Sequence, residues 1–278
     1  MGTVRYGTSS WSEKSWVGPF YPEGTAPREF LPYYATQFDT VEADVTYYRV
    51  PDKRLVTGWR DRTPSGFVLS AKFPRSIVHC GDGATPDSDR LLNPDFVGED
   101  TDGFLTAMGL LGEKCGPLVL QFPYFNKKVF SNPGAFLDRL DAFLRGLPAE
   151  FRYAVEIRNR YWLKSVLLEL LREHRAALVL LDLSYMPHPD EVNHLDLITT
   201  DFSYARLIGD RKAVEAKTDT FDRLVLDQSP RIARWTDVLT DVLSKVPITY
   251  VYANNHYAGF GPATIRQLAS QLPDQSDR

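Results

Sequence analysis

The feature that most constrains the fold of this chain is a repeated alternation of short β-rich runs with amphipathic helical segments. Eight such runs occur along the 278 residues. They lie at 4–8, 40–44, 67–73, 117–122, 153–158, 177–182, 204–208 and 248–254. Strands that alternate with helices are typical of βαβ units and a parallel sheet. Eight units in a chain of this length predict an α/β fold, the (β/α)8 TIM barrel.

Helical patterns follow most of the predicted strands. They lie at 27–37, 53–62, 101–114, 133–145, 161–174, 230–245 and 262–271. Residues 74–100 are rich in Gly, Asp and Pro and predict a long loop after the third strand. The segment 185–201 shows no clear helical pattern, and the segment 210–222 is polar. We expect a single barrel domain over 1–272 and a polar C-terminal tail at 273–278.

Composition limits the class of protein. Hydrophobic residues make up 43% of the chain and charged residues 24%, which is typical of a soluble globular protein with one large core. The net charge of −4 argues against a broad nucleic-acid-binding surface, although it leaves a local basic patch open. Cys80 and Cys115 lack metal-ligand spacing, which predicts free thiols in a reducing cytoplasm. The sequence shows neither a signal-peptide pattern nor a membrane-spanning apolar run, so we expect a cytoplasmic protein without membrane contact.

Polar residues recur close to the carboxyl ends of the predicted strands. They are Glu42, Asp44, Lys72, Gln121, Glu156, Arg158, Asp182, Arg206, Asn254 and Asn255. A closed ring of parallel strands brings these ends together at the mouth of the barrel, where TIM-barrel sites lie. The repetition at the same point of successive units therefore predicts one convergent site, and scattered surface charge is the alternative.

The run at 153–162 carries the clearest signal. Glu156 and Arg158 share one strand face about 7 Å apart, and Val155 and Ile157 take the other face. A buried ion pair is an unreliable source of stability, which favours a functional reason for these charges. A purely structural ion pair is the alternative interpretation.

Paired carboxylates at opposed strand ends suit acid–base hydrolysis, with one group protonated and the other ionised. We assign Glu42, Glu156, Lys72 and Asp182 as candidate catalytic residues. Candidate ligand-binding residues are Arg158, Arg206, Gln121, Asp44, Tyr47, Trp11, Asn254, Asn255 and His256. Counting Glu42, Glu156 and Asp182 against Lys72, Arg158 and Arg206 gives three acids and three bases, a cluster close to neutral that Asp44 would make acidic. We expect neither a metal nor another cofactor.

Several motifs match a known family. They include Gly-Thr-Ser-Ser-Trp-Ser at 7–12, Gly-Pro-Phe-Tyr-Pro at 18–22, Ser-Ala-Lys-Phe-Pro-Arg at 70–75, Leu-Gln-Phe-Pro at 120–123, Ala-Val-Glu-Ile-Arg at 154–158 and Tyr-Ala-Asn-Asn-His at 252–256. In these motifs and their order the chain resembles the YecE-like family, also called domain of unknown function 72, across nearly its whole length. The resemblance implies a TIM barrel without an assigned reaction. The family commonly has an amide where this chain has Asp44, and a histidine on the seventh strand where this chain has Ile208.

The expected function is that of a hydrolase or lyase acting on a small polar ligand that bears a sugar or phosphate group. One alternative is a metal-dependent phosphodiesterase like the barrel endonucleases, an analogy based on fold alone. A non-catalytic ligand-binding barrel is the other. The sequence leaves the oligomeric state open.

Overall fold

Eight parallel strands form the centre of the protein. The computed structural model describes residues 2–272. Within them the strands are β1 (Thr3–Thr8), β2 (Thr40–Ala43), β3 (Val68–Lys72), β4 (Cys115–Gln121), β5 (Tyr153–Glu156), β6 (Ala177–Leu183), β7 (Phe202–Gly209) and β8 (Ile248–Ala253). They are hydrogen-bonded in the order β1-β8-β7-β6-β5-β4-β3-β2, and every pair is parallel. This topology confirms the predicted (β/α)8 barrel.

Helices surround the strands. In the described chain they are α1 (Phe30–Tyr34), α2 (Lys53–Asp61), α3 (Arg75–Val78), α4 (Pro94–Gly109), α5 (Pro133–Gly146), α6 (Ser165–Glu173), α7 (Arg211–Glu215), α8 (Ser229–Lys245), α9 (Asn255–Ala258) and α10 (Gly261–Ala269). The segment between β6 and β7 forms only a 3-10 turn at Pro189–Val192, as its lack of a helical pattern predicted. The predicted tail at 273–278 lies outside the described residues.

The predicted first residue of α4 was wrong. The helix begins seven residues before position 101, within a stretch that reads as loop because it is rich in Asp and Gly. Asn93 caps it by accepting a hydrogen bond from the backbone N–H of Asp95 at 3.2 Å, and Pro94 occupies the first turn. A capping asparagine before a proline is a strong start signal that outweighs the weak helix propensity of the following residues. The excursion at 74–100 also contains the short helix α3.

The barrel is closed between β1 and β2 by a side chain. The Tyr34 hydroxyl accepts a hydrogen bond from the Thr8 backbone N–H at 2.8 Å and donates to the Thr40 carbonyl oxygen at 3.3 Å. Gly7 permits this close approach, because a Cβ at that position would lie 2.3 Å from the Thr40 carbonyl oxygen. The two strands are thus joined through an element outside the sheet, and the ring of strand ends is complete.

The interior of the barrel is filled in two layers. The lower layer is apolar and aromatic, and it consists of Val68, Val119, Ala154, Ala177, Val179, Phe202, Tyr204, Tyr250 and Tyr252. Because side chains alternate along a strand, inward positions nearer the carboxyl ends are Lys72, Gln121, Glu156 and Arg206. The apolar layer therefore forms the floor beneath a polar one. None of the helices in the described residues is both long enough and apolar enough to cross a membrane.

Candidate functional site

An ion network lies at the centre of the polar layer, and we call Glu42, Glu156 and Arg206 the ion frame. Arg206 on β7 donates from Nη2 to Glu42 Oε1 on β2 at 2.8 Å. Its Nη1 pairs with Glu156 Oε2 on β5 and donates to Gln121 Oε1 on β4 at 2.8 Å. One guanidinium therefore links four strands across the barrel. The predicted convergence of these distant residues is confirmed.

Tyr204 supports the ion frame, and it is not among the site residues predicted from the sequence. Its hydroxyl donates to Glu42 Oε2 at 2.7 Å, and the ring is fully buried in the layer below. The signal was present, because Tyr204 lies two positions before Arg206 and so shares its strand face. Glu42 is thus held by hydrogen bonds at both carboxylate oxygens.

Both carboxylates of the ion frame are ionised at neutral pH. Burial alone would raise the pKa of Glu156, but the charges of Arg206 and Arg158 outweigh burial and lower it to about 2. For Glu42, burial is likewise outweighed by Arg206 and Lys72, which lower its pKa. The expectation that one of the two is protonated is therefore wrong, and neither is poised as a general acid.

Lys72 is the more exposed of the two cations that pair with Glu42. Its Nζ lies 3.5 Å from Glu42 Oε1, a longer contact than those of Arg206. The Lys72 side chain is 10% exposed, whereas those of Glu42 and Glu156 are 0% exposed. Burial and the nearby charge of Arg206 lower the pKa of Lys72, and the surrounding carboxylates only partly oppose this. A lysine with a lowered pKa releases its proton more readily than an ordinary lysine, which suits proton transfer.

Three further predicted residues surround Lys72 and the ion frame. Arg158 donates from Nε to Glu156 Oε1 at 2.7 Å and keeps its side chain 22% exposed, so its outer nitrogens reach the mouth. Tyr47 is half-buried; burial raises its pKa, although the charges of Arg75 and Arg158 partly counter this. Asp44 is also half-buried, and burial raises its pKa against the opposing charge of Lys72.

A cleft of about 260 Å³ adjoins this cluster where β1 and β8 end, and we call it the β1–β8 cleft. Asp44, Asn254, Asn255 and His256 line it. Asn254 Oδ1 accepts from the backbone N–H of His256 at 2.9 Å and caps α9. Asn255 Oδ1 accepts from the backbone N–H of Gly261 at 2.9 Å. These predicted ligand-binding residues thus also fix the loop that forms the wall of the cleft.

Asp182 does not join the ion frame, and the prediction that it points into the mouth was wrong. Its Oδ2 accepts from Trp235 Nε1 at 2.8 Å and from the Tyr257 hydroxyl at 3.0 Å, and it pairs with Arg231. Trp235 and Arg231 lie on α8, outside the barrel. The reason is alternation along β6: Val179 faces the interior, so Asp182 three positions later faces the helices.

Trp11 is also placed away from the mouth. Its ring is almost completely buried and packs edge-on against Trp59 of α2, with 5.5 Å between ring centroids. The backbone oxygen of Trp11 accepts from the Tyr21 hydroxyl at 2.5 Å. The loop after β1 therefore uses this aromatic side chain to cover the core, and it leaves no face for stacking on a ligand.

We expect Asp182→Asn to lower the free energy of unfolding by about 2 kcal/mol, because a buried acceptor of three partners loses its charge. Turnover per folded molecule should be unchanged. Denaturant unfolding measures the change in the free energy of unfolding, and specific activity measures the turnover. Asp190→Asn is the matched control, since the Asp190–Arg234 pair is partly exposed and should contribute less than about 1 kcal/mol. Lost activity with normal stability would restore Asp182 to the catalytic set.

The carboxylates of the ion frame are engaged by cations. Glu42 contacts Arg206 and Lys72, and Glu156 contacts Arg206 and Arg158, so this donor set does not fit a divalent metal. A group with ligand spacing lies on the outer helices, where atoms of Asp141, Glu173 and His174 are within 4.8 Å of one another. Asp141 is already paired with Arg145 at 2.8 Å.

Comparison with known proteins identifies the family. The family model described as protein of unknown function DUF72 matches residues 5–278. The chain belongs to the DUF72 family. This agrees with the TIM-barrel fold and with the motifs at the strand ends, and it brings no assigned reaction.

Relatives of this DUF72 chain include the UPF0759 protein YecE of Escherichia coli K12, which is 33% identical over 157 residues. The match covers 56% of this chain and 48% of YecE, so it spans about half the length of that relative. A DUF72 family protein of Thermotoga maritima has a TM-score of 0.72 at 26% identity, with 96% of each chain covered. A DUF72 family protein of Enterococcus faecalis has a TM-score of 0.69 at 22% identity over 98% of this chain and 99% of its own, which supports the fold alone.

Proposed function

We propose that this DUF72 protein is an enzyme, a hydrolase or lyase that transfers protons through Lys72 to a small polar ligand at the barrel mouth. The observation that carries this proposal is the position of Lys72. Lys72 ends β3, its Nζ lies 3.5 Å from Glu42 Oε1 of the ion frame, and its side chain is 10% exposed where that of Glu42 is 0% exposed. Burial and the charge of Arg206 lower its pKa. Perturbed titratable groups at the carboxyl end of a TIM barrel are typical of catalytic sites.

The ion frame acts by positioning in this proposal. Glu42 and Glu156 stay ionised and out of contact with solvent, so they hold Arg206 and set the electrostatic potential around Lys72. Charges that are already fixed in position do not have to reorient when charge develops on a substrate, so no free energy is spent on that reorientation. In the same proposal Arg158 and Tyr47 hold an anionic group of the ligand, and Gln121 holds a neutral one.

The test is a screen with chromogenic glycosides and phosphate esters, followed by the pH dependence of any turnover found. Under the proposal, kcat falls on the alkaline side with the pKa of Lys72. A ligand that binds at the mouth and is recovered intact after long incubation would instead indicate a non-catalytic binding barrel.

The titration of Lys72 can be followed without a substrate. In protein labelled at lysine Cε, we expect one NMR resonance to titrate below the other lysines, and Lys72→Met should remove it. Asp44→Asn should lower this pKa further, because Asp44 stabilises the charged amine. Asp39→Asn is the control. Asp39 also has a pKa raised by burial, but it pairs with Arg5, so its replacement should leave the pKa of Lys72 unchanged. A Lys72 pKa at or above 10.5 would contradict the proposed role.

A further inference from the structure

The β1–β8 cleft contains buried hydrogen-bond donors that the folded chain leaves unused. Ser9 and Trp16 line the cleft and are 3% and 1% exposed. Within residues 2–272, neither Ser9 Oγ nor Trp16 Nε1 has a hydrogen-bond partner. Buried polar groups without partners are rare in native proteins because each gives up hydrogen bonds to water that nothing in the fold replaces. Two of these groups belong to residues that line one cleft, where a bound ligand could complete their bonding.

The two asparagines add further donors. Asn254 and Asn255 both use Oδ1 to accept backbone N–H bonds, so the orientation of each amide is fixed. The amide nitrogen of each is therefore left to donate to a ligand. Phe221 forms an apolar wall, and its backbone N–H donates to Ser15 Oγ at 3.1 Å, which ties this wall to the loop after β1.

The charge of the lining selects against anions. Asp44 and Glu13 line the cleft, whereas the lining includes no lysine or arginine among the described residues. An anionic ligand in the cleft would lie against the carboxylates of Asp44 and Glu13. Uncharged donors together with carboxylate acceptors suit a ligand with hydroxyl groups, which donate and accept.

The size and position of the cleft further limit the class of ligand that it can bind. Its volume of about 260 Å³ is just below the range of roughly 300–1,000 Å³ for drug-sized ligands. Asp44 lines the cleft and also interacts with Lys72 and Glu42, so a ligand there lies next to the proposed proton-transfer group.

We propose that the β1–β8 cleft binds a neutral polyhydroxylated group of about one sugar ring, through Ser9, Trp16, Asn254, Asn255 and Asp44. This deepens the proposed function, on which it rests, by naming the part of the substrate that the cleft recognises. An anionic substituent of the same substrate would extend toward Arg158 and away from the cleft.

The experiment measures binding of glucose, ribose and myo-inositol by calorimetry and ligand-observed NMR, with glucuronate as the charged probe. At least one neutral probe should bind about tenfold more tightly than glucuronate. Ser9→Ala should weaken that binding about five- to tenfold through the loss of one hydrogen bond. Ser203→Ala is the matched control: Ser203 is buried with an unpartnered Oγ but does not line the cleft, so binding should be unchanged.

Three outcomes would overturn the inference: no neutral probe binds, glucuronate binds as tightly, or Ser9→Ala behaves like Ser203→Ala. Lys72→Met separates this inference from the proposed function, since it should bind the neutral probe but lose turnover. Normal turnover of Lys72→Met with intact sugar binding would refute the proposed function alone. Turnover that depends on Lys72, without any binding of neutral probes, would refute the cleft assignment alone.

Discussion

Replacement of Lys72 by methionine should reduce kcat on any substrate found for this protein by about 10³- to 10⁴-fold, the upper part of the range for loss of a general acid or base. The effect should be large because the amine is buried, so water has little access to replace it. Methionine keeps a similar length and leaves Glu42 paired with Arg206, so the fold should persist. The measurement is steady-state kinetics of both proteins, with circular dichroism to verify folding.

Lys114→Met is the control for the same chemical change. Lys114 is a half-buried lysine whose Nζ donates to the carbonyl oxygens of Arg60 and Thr63, away from the mouth. Its replacement should alter stability more than turnover per folded molecule. If Lys72→Met and Lys114→Met retained equal turnover, Lys72 would have no catalytic role, and proton transfer would have to come from another residue.

Replacement of Arg206 by methionine should destabilise the protein by about 3–5 kcal/mol at pH 7, because it leaves two buried carboxylates without their shared partner. Lys72 and Arg158 remain beside Glu42 and Glu156, but each is more exposed than Arg206 and contacts only one of them. Equilibrium unfolding in denaturant measures the change. This is the largest stability effect that we expect from a single substitution at the site.

The pH dependence of this loss has a definite sign. In the wild type the lowered pKa values of Glu156 and Glu42 provide stability that is present above about pH 4.5 and is lost as pH falls toward 2. In Arg206→Met, loss of the partner raises both folded-state pKa values, so the variant gains stability as pH falls. The difference in free energy of unfolding between the two proteins should therefore shrink as the pH falls from neutral to about pH 2. A gap that stays constant over this range would place the cause outside the ion frame.

The combined variant Glu42→Gln, Glu156→Gln, Arg206→Met tests the same explanation at neutral pH. Replacing all three charges removes the buried unpaired carboxylates, and a neutral replacement of a buried ion network is often tolerated. We expect it to recover most of the stability that Arg206→Met loses. If the triple variant were less stable than Arg206→Met, the hydrogen bonds of the frame would contribute more than its charges.

Predictions from the sequence were most reliable where they used periodicity. The strand bounds agree to within two residues, and convergence of Glu42, Lys72, Glu156 and Arg206 followed from the barrel alone. Predictions of orientation failed where a strand end was taken as inward without counting alternation, as at Asp182. The start of α4 was missed because a local cap at Asn93 outweighed composition.

The sequence by itself determined the eight βα units and which residue types stand at the strand ends, because both depend on patterns local to each unit. Only the tertiary structure decided the ionisation of the site, since the pKa values of Glu42, Lys72 and Glu156 depend on Arg206, a residue 50 to 164 positions away in the chain. It also decided which groups reach the mouth. Burial depends on how all eight strands pack, and packing left the two carboxylates 0% exposed and the Lys72 side chain 10% exposed.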